Sequence, residues 1–196
     1  AGHEVRFVTS RWNDGNYMER LHALGLTGQR MDLGSISATM NRSSLWMTWC
    51  QLIRLPGLWA DYRRFLREQR PERVVHTSWH HLLLLWPFLK PERDWYWIHE
   101  VLPDKAHYRA VFARLARRLA GFVPVSEAVG RAVRALRVPG EKVHVVHNGL
   151  TDLSAASPGS EKGMGSVRIG IVGQVEPWKG HHHLLSAFAG ISSQFP

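Results

Sequence analysis

Short β-prone runs alternate with amphipathic helical stretches along most of this chain. That alternation restricts the fold to an α/β class with a mostly parallel sheet. The β-prone runs are residues 4–9 (EVRFVT), 73–77 (RVVHT), 95–99 (WYWIH), 122–125 (FVPV), 143–147 (VHVVH) and 168–172 (RIGIV). Residues 73–77 read as a buried strand. Residues 45–69 read as helix with a break near Pro56-Gly57, and Pro71 stops it. In its second half Leu58, Tyr62, Phe65 and Leu66 share one face, while Arg63, Arg64, Arg67 and Arg70 fall largely elsewhere. Residues 82–89 open the helix after the second run. The clearest helix is 105–120, with an apolar stripe of Tyr108, Val111, Phe112, Leu115 and Leu119. Ser126 is placed to cap a helix running to about Arg137. Residues 10–41 hold Gly15, Gly25, Gly28 and Gly34 and read as turns and short elements.

The stretch 153–166 (LSAASPGSEKGMGS) is small, polar and glycine-rich, as a linker is. Beyond it the chain begins a second strand-loop-helix. About 30 residues do not make a domain of this class, because the strands that would bury the first one are missing. The expected organisation is therefore a first domain over 1–152, a linker over 153–166 and the start of a second domain over 167–196, in a fragment of a longer protein.

A composition of 44% hydrophobic and 21% charged residues is globular and excludes a disordered or fibrous chain. The single cysteine, Cys50, excludes an internal disulfide framework. The longest apolar run has eight residues and contains Pro87, against about 20 for a spanning helix. The opening residues carry no charged leader followed by a long apolar region, so no secretory signal is read there. Residues 51–140 contain 16 basic and 8 acidic groups, which places +8 of the formal net +9 in that stretch. A positive surface attracts phosphate in a nucleotide, an anionic lipid or a nucleic acid, and charge alone does not choose among them.

Four candidate sites follow. In residues 170–180 (GIVGQVEPWKG) a strand leaves through Gly173 and a lysine, Lys179, stands before a helix. One reading is a diphosphate clamp; the other is a strand-turn-helix corner with a solvated lysine. Neither the GxxxxGK[ST] order nor GxGxxG is present. Asn148-Gly149 ends a strand just before the linker, where ligands bind in open α/β sheets, or is a plain turn. His76, His80, His81 and His99-Glu100 sit in or after adjacent strands. A histidine there is suited to acting as a base or orienting a hydroxyl. Their spacings match neither HExxH nor a zinc-finger pattern, so no metal is expected. The basic segments 63–73 and 105–120 are solvated faces or membrane-facing ones.

In order and spacing these motifs resemble the retaining GT-B enzymes of glycosyltransferase family 4. Residues 71–76 (PERVVH) are similar to the family's "rPDvvH" strand, with Arg73 where Asp is usual. Residues 97–100 (WIHE), 123–127 (VPVSE), 142–152 (KVHVVHNGLTD) and 170–188 resemble its later motifs, the last two "kv.vi.NGvd" and "vGr…KG…ll.Af". The resemblance covers nearly the whole chain. It implies two Rossmann-like domains, with the family's first strand and glycine-rich loop preceding residue 1 and its acidic donor-binding motif following residue 196.

It further implies transfer of a sugar, with retention, from a nucleoside-diphosphate sugar to a glycan or lipid-linked acceptor. Lys179, with Gly173 and Gln174, would meet the donor diphosphate; Gln174 stands where the family commonly has Arg. His99 and His76 are the catalytic candidates, and Asn148, Gly149, Glu100 and Ser78 would line the crevice. Ser78 occupies the position of a common family histidine. The nucleotide sugar is a co-substrate, and no bound cofactor or metal is implied. The resemblance implies a cytoplasmic enzyme, with peripheral contact to an anionic membrane and no nucleic acid partner. The alternatives are an inactive GT-B-like binding protein, a GT-B nucleotide-sugar epimerase and, remotely, a basic nucleic-acid-binding module, for which no recognised motif appears.

Overall fold

The computed structural model describes residues 2–12, 16–34, 36, 42–149 and 169–194. It is mixed α/β with parallel sheets, as the alternation requires. Contacts divide the chain into two compact units, residues 1–149 and 150–196. The expected linker at 153–166 lies outside the described residues.

In the first unit the elements run β1 (Arg6–Ser10), α1 (Asn16–Ala23), β2 (Thr27–Met31), α2 (Arg42–Ile53), α3 (Leu55–Gln69), β3 (Val74–His76), α4 (Trp79–Leu84), β4 (Asp94–Ile98), α5 (Ala106–Leu115), β5 (Gly121–Pro124) and α6 (Glu127–Ala135). β1 and β2 pair in parallel, Arg6 opposite Thr27 through Ser10 opposite Met31. β3, β4 and β5 form a second parallel sheet in that order. Each crossover carries a helix, as parallel strands require.

One apolar core lies under β4 and β5. It joins Tyr96, Ile98 and Phe122 to Phe112, Leu115 and Leu119 of the α5 stripe and to Val133 and Leu136 after the Ser126 turn. Phe112, Leu115 and Leu119 are fully buried, as their spacing predicts. Ser126 is an N-cap, its hydroxyl accepting from the Val129 N–H at 3.3 Å. A second core joins Met31 and Leu33 to Leu58, Tyr62 and Phe65 of α3 and to Leu84 and Leu85. Gly121 is required by packing: a Cβ there would meet the Trp95 ring at 2.5 Å.

Several sequence expectations change. Residues 10–41 contain a regular α1 and β2. β2 (TGQRM) has little β propensity, and its ladder with β1 and the burial of Met31 hold it. The break in the long helix falls at Arg54, before Pro56, because proline is accommodated in the first turn of α3. β3 is only three residues and is not buried throughout: side chains alternate between the faces of the sheet, and Val75 is exposed between the half-buried Val74 and the buried His76. Residues 143–147 form no extended ladder. A single bridge pairs Phe122 with Val143, while His144 N and Val146 N donate to Phe122 O and Pro124 O at 2.9 and 3.0 Å. α5 is shorter than expected. The Lys142 ammonium donates to Ala116 O and Leu119 O at 2.6 and 2.8 Å, satisfying carbonyls just beyond its end. Replacing Lys142 with methionine is expected to cost about 1–2 kcal/mol, read as a lower urea midpoint at unchanged slope.

In the second unit, residues 169–172 form no strand. No described segment pairs with them, and Ile169, Ile171 and Val172 are exposed. α7 (His181–Ile191) follows a 3-10 turn at Pro177–Lys179. No helix among the described residues is long and apolar enough to cross a membrane.

Candidate functional site

Because β3, β4 and β5 are parallel, their C-terminal ends open on one edge of the sheet. Residues 143–147 run beside β5 in the same direction, so Asn148 and Gly149 leave at that edge too, both exposed. Ser78, His80, His99, Glu100, Asn148 and Gly149 thus follow successive parallel segments. Ser78 starts α4 without making a side-chain cap. His99 is exposed, its ring 4.5 Å from that of Trp97.

His80 is the most constrained imidazole at this edge. Its Nδ1 accepts the Ile36 N–H at 3.3 Å, so the ring proton resides on Nε2. The ring stacks on Trp79 at 3.9 Å, and Trp79 in turn meets Tyr108 edge-on at 5.5 Å. Burial pushes the His80 pKa below its ordinary value, while the nearby Glu100 carboxylate pulls the other way. Burial, then the same carboxylate, pushes the Tyr96 phenol up. The edge therefore presents the His80 imidazole, held neutral by burial, near the Glu100 carboxylate, a pair suited to orienting hydroxyl groups, while the Tyr96 phenol stays buried in the core.

His76 ends β3 but turns away from this edge. Its ring is buried and Nε2 lies 2.8 Å from Oδ1 of Asp94, the first residue of β4. Asp94 is fully buried. Its Oδ2 accepts from Lys90 N at 2.9 Å and Arg93 Nε at 3.0 Å. Since a carboxylate only accepts, His76 Nε2 carries the proton in this bond. Nothing in the spacing of His76 and Asp94, 18 residues apart, signals the pair; parallel register creates it.

His81 is partly buried on α4, and burial, reinforced by His76 and His80, pushes it down to about 4. An ordinary histidine titrates near 6.5, so the unfolded chain binds the proton first as pH falls. Folding stability is expected to be complete above about pH 6.5 and to decline toward about pH 4, by on the order of 2 kcal/mol. Urea unfolding of the protein and of His81→Phe at about pH 7 and pH 5 checks this. An equal loss in both would rule it out.

In the second unit Gly180 adopts φ +76°, a left-handed conformation that favours glycine, and serves as the N-cap of α7 without a side-chain cap. A Cβ on Gly173 would sit 3.9 Å from both the Lys179 stem and the His181 ring, so Gly173 lies beside them. Gln174 and Lys179 are exposed, and Lys179 makes no ion pair with the described residues. The first-turn amides of α7 and the lysine form a local positive field. His182 and His183 are exposed at this helix start, and His181 is half-buried.

Elsewhere on the first unit, a groove of about 470 Å³ runs along α5, lined by Arg109, Arg114, Arg117 and Arg137 over alanines. Among the described residues no three histidine, cysteine or acidic side chains converge to hold a metal ion.

A family model described as Glycosyltransferase Family 4 matches residues 1–152. No curated protein and no solved structure matches the chain.

Proposed function

The chain belongs to glycosyltransferase family 4, and on that premise we propose that the protein moves a sugar from a nucleoside-diphosphate sugar onto a hydroxyl of a glycan or lipid-linked acceptor, with retention at the anomeric carbon. Family membership supports sugar transfer in general. The observation that carries the donor half of the reading is the exposed Lys179 beside Gly173 at the uncapped start of α7.

In the reaction the acceptor oxygen bonds to the anomeric carbon and the bond from that carbon to the diphosphate breaks. The nucleoside diphosphate leaves with the bonding pair, and the hydroxyl proton passes to its departing oxygen. Negative charge grows on the diphosphate as the bond lengthens. An ammonium and helix-start amides held before the reaction stabilise that charge without reorganising. On the first unit, His80, Glu100 and His99 are suited to orienting acceptor hydroxyls, with Ser78, Asn148 and Gly149 along the same edge. His76 contributes by holding β3 to β4 through Asp94. A lipid-linked acceptor would be met at an anionic membrane.

A second reading, a protein that binds the nucleotide sugar without turnover, is favoured by Gln174. Its neutral amide stands where the resemblance implies a guanidinium. The activity is assigned to the full-length protein, the isolated fragment being expected to be inactive, so the test is release of nucleoside diphosphate by the full-length protein from UDP-, GDP- and ADP-sugars, with glycan and lipid-linked acceptors supplied. Acceptor-dependent release supports transfer and names the nucleotide. Saturable donor binding with no release favours the second reading, and neither binding nor release removes both.

A further inference from the structure

We propose that the groove along α5 is a second anion site, which binds a small soluble molecule carrying a diphosphate or a longer phosphate chain. It is separate from the loop at Lys179 and does not rest on sugar transfer.

One helix face and one residue beyond α6 build the groove. Ala106, Arg109, Ala110, Ala113 and Arg114 of α5 line it, with Arg117 just past the helix end. At about 100° per residue the five helical positions fall within roughly 140° of arc. The buried Phe112, Leu115 and Leu119 face the core on the other side. Arg137, which follows α6, completes the lining. Alanine has no side chain past Cβ, so the floor is low and the guanidinium groups stand as walls around about 470 Å³. That volume is in the range of small-molecule sites. Arg114, Arg117 and Arg137 lie near the C-terminal ends of α5 and α6, toward the sheet edge opposite His99 and Glu100.

The groove is receptive to an anion. No acidic side chain lines it. Arg117 and Arg137 make no side-chain hydrogen bond or ion pair among the described residues, and Arg114 donates only to Ala110 O, at 3.0 Å. Arg109 is already matched, donating to both carboxylate oxygens of Asp104 at 2.5 and 2.6 Å. Carbonyls at the end of a helix repel an anion, but here the Lys142 ammonium takes Ala116 O and Leu119 O. Arg137 has φ +63°, in the left-handed region that usually holds glycine after a helix. The chain thus carries a guanidinium at a backbone position where a side chain is costly.

Charge and shape choose the ligand. Three guanidinium groups stand without a counter-charge. A terminal phosphate carries roughly −1.5 to −2 at neutral pH, so one phosphate leaves charge unmatched and a diphosphate balances it better. Planar guanidinium forks grip phosphate oxygens in pairs. A flat lipid surface does not reach into a trough, and no large apolar side chain lines this one to enter acyl chains.

Pyrophosphate is titrated calorimetrically into the full chain carrying Lys179→Ala, which removes the other candidate phosphate contact. Saturable binding is expected, tighter than that of inorganic phosphate and weakened by salt. Adding Arg117→Gln/Arg137→Gly should weaken it about tenfold or more. Glycine suits the backbone at position 137, so this variant should melt no lower than its parent. Arg117→Gln alone, at an exposed position, gives the same direction if the double variant fails to fold. Arg63→Gln/Arg67→Gln removes the same charge from exposed positions on α3 and should leave binding near that of the parent. ADP bound no tighter than pyrophosphate marks a free phosphate chain as the ligand, and ADP bound tighter marks a nucleotide; either supports the site. Four results overturn the proposal: no saturable pyrophosphate binding, unchanged binding by the folded groove variants, an equal loss in the α3 variant, or oligoglutamate or phosphatidylglycerol vesicles held by the groove arginines in preference to pyrophosphate.

Discussion

Replacing Asp94 with alanine is expected to lower the stability of the first unit by roughly 3–5 kcal/mol, the range for removing one partner of a buried charged network. Asp94 is fully buried and its two oxygens accept from His76, Lys90 and Arg93. Without the carboxylate the Arg93 guanidinium keeps its bond to Phe88 O at 2.8 Å but loses its counter-charge. The His76 Nε2–H is left buried without an acceptor. Asp94→Asn retains one acceptor oxygen and should cost less, though its amide group meets donors where acceptors are needed. Urea midpoints for Asp94→Ala, His76→Ala and the double variant measure the coupling directly. A folded Asp94→Ala protein with the parent's midpoint would refute this account.

Lys179→Ala is expected to slow sugar transfer by about 10²–10³-fold, the usual effect of removing one preorganised group that stabilises developing charge. Gln174 is neutral, and Lys179 is the one lysine or arginine among residues 169–180, so on the proposed reading it carries that loop's full positive charge. The loss should fall mainly on kcat, because charge on the leaving group peaks in the transition state. Lys179→Arg should recover part of the rate, since the charge remains while the shape differs. Equal turnover by Lys179→Ala and the parent would detach the lysine from the reaction.

Much of the first unit is legible in its sequence because local preference and tertiary role agree there. The α5 stripe, the Ser126 cap and the strand runs of β4 and β5 are examples. β2 is different. Thr27–Met31 has no local pattern of its own and becomes a strand by pairing with β1. Residues 169–172 show the converse: a β-prone run stays irregular when no described segment pairs with it. Strand ends at His99, Glu100, Asn148 and Gly149 are legible because parallel order puts them on one edge. The contrast between His76, tied to Asp94, and His80, fixed by Ile36, is not. Both contacts join residues distant in sequence, and only register and loop placement bring them together. The outward face of α2, where Trp46, Trp49 and Ile53 are exposed while Gln51 is buried, is hidden for a related reason: its apolar content resembles a core helix until the side facing the protein is known.

A single residue, Arg54, separates α2 from α3, and its backbone stays in the right-handed helical region. The two helices are therefore a bent rod with almost no slack at the elbow. α3 carries Leu58, Tyr62 and Phe65 into the core shared with β2 and α4. A torque applied to the outer arm has no loop in which to dissipate. It is delivered to those three side chains, so the orientation of α2 and the packing beneath α3 are mechanically one variable.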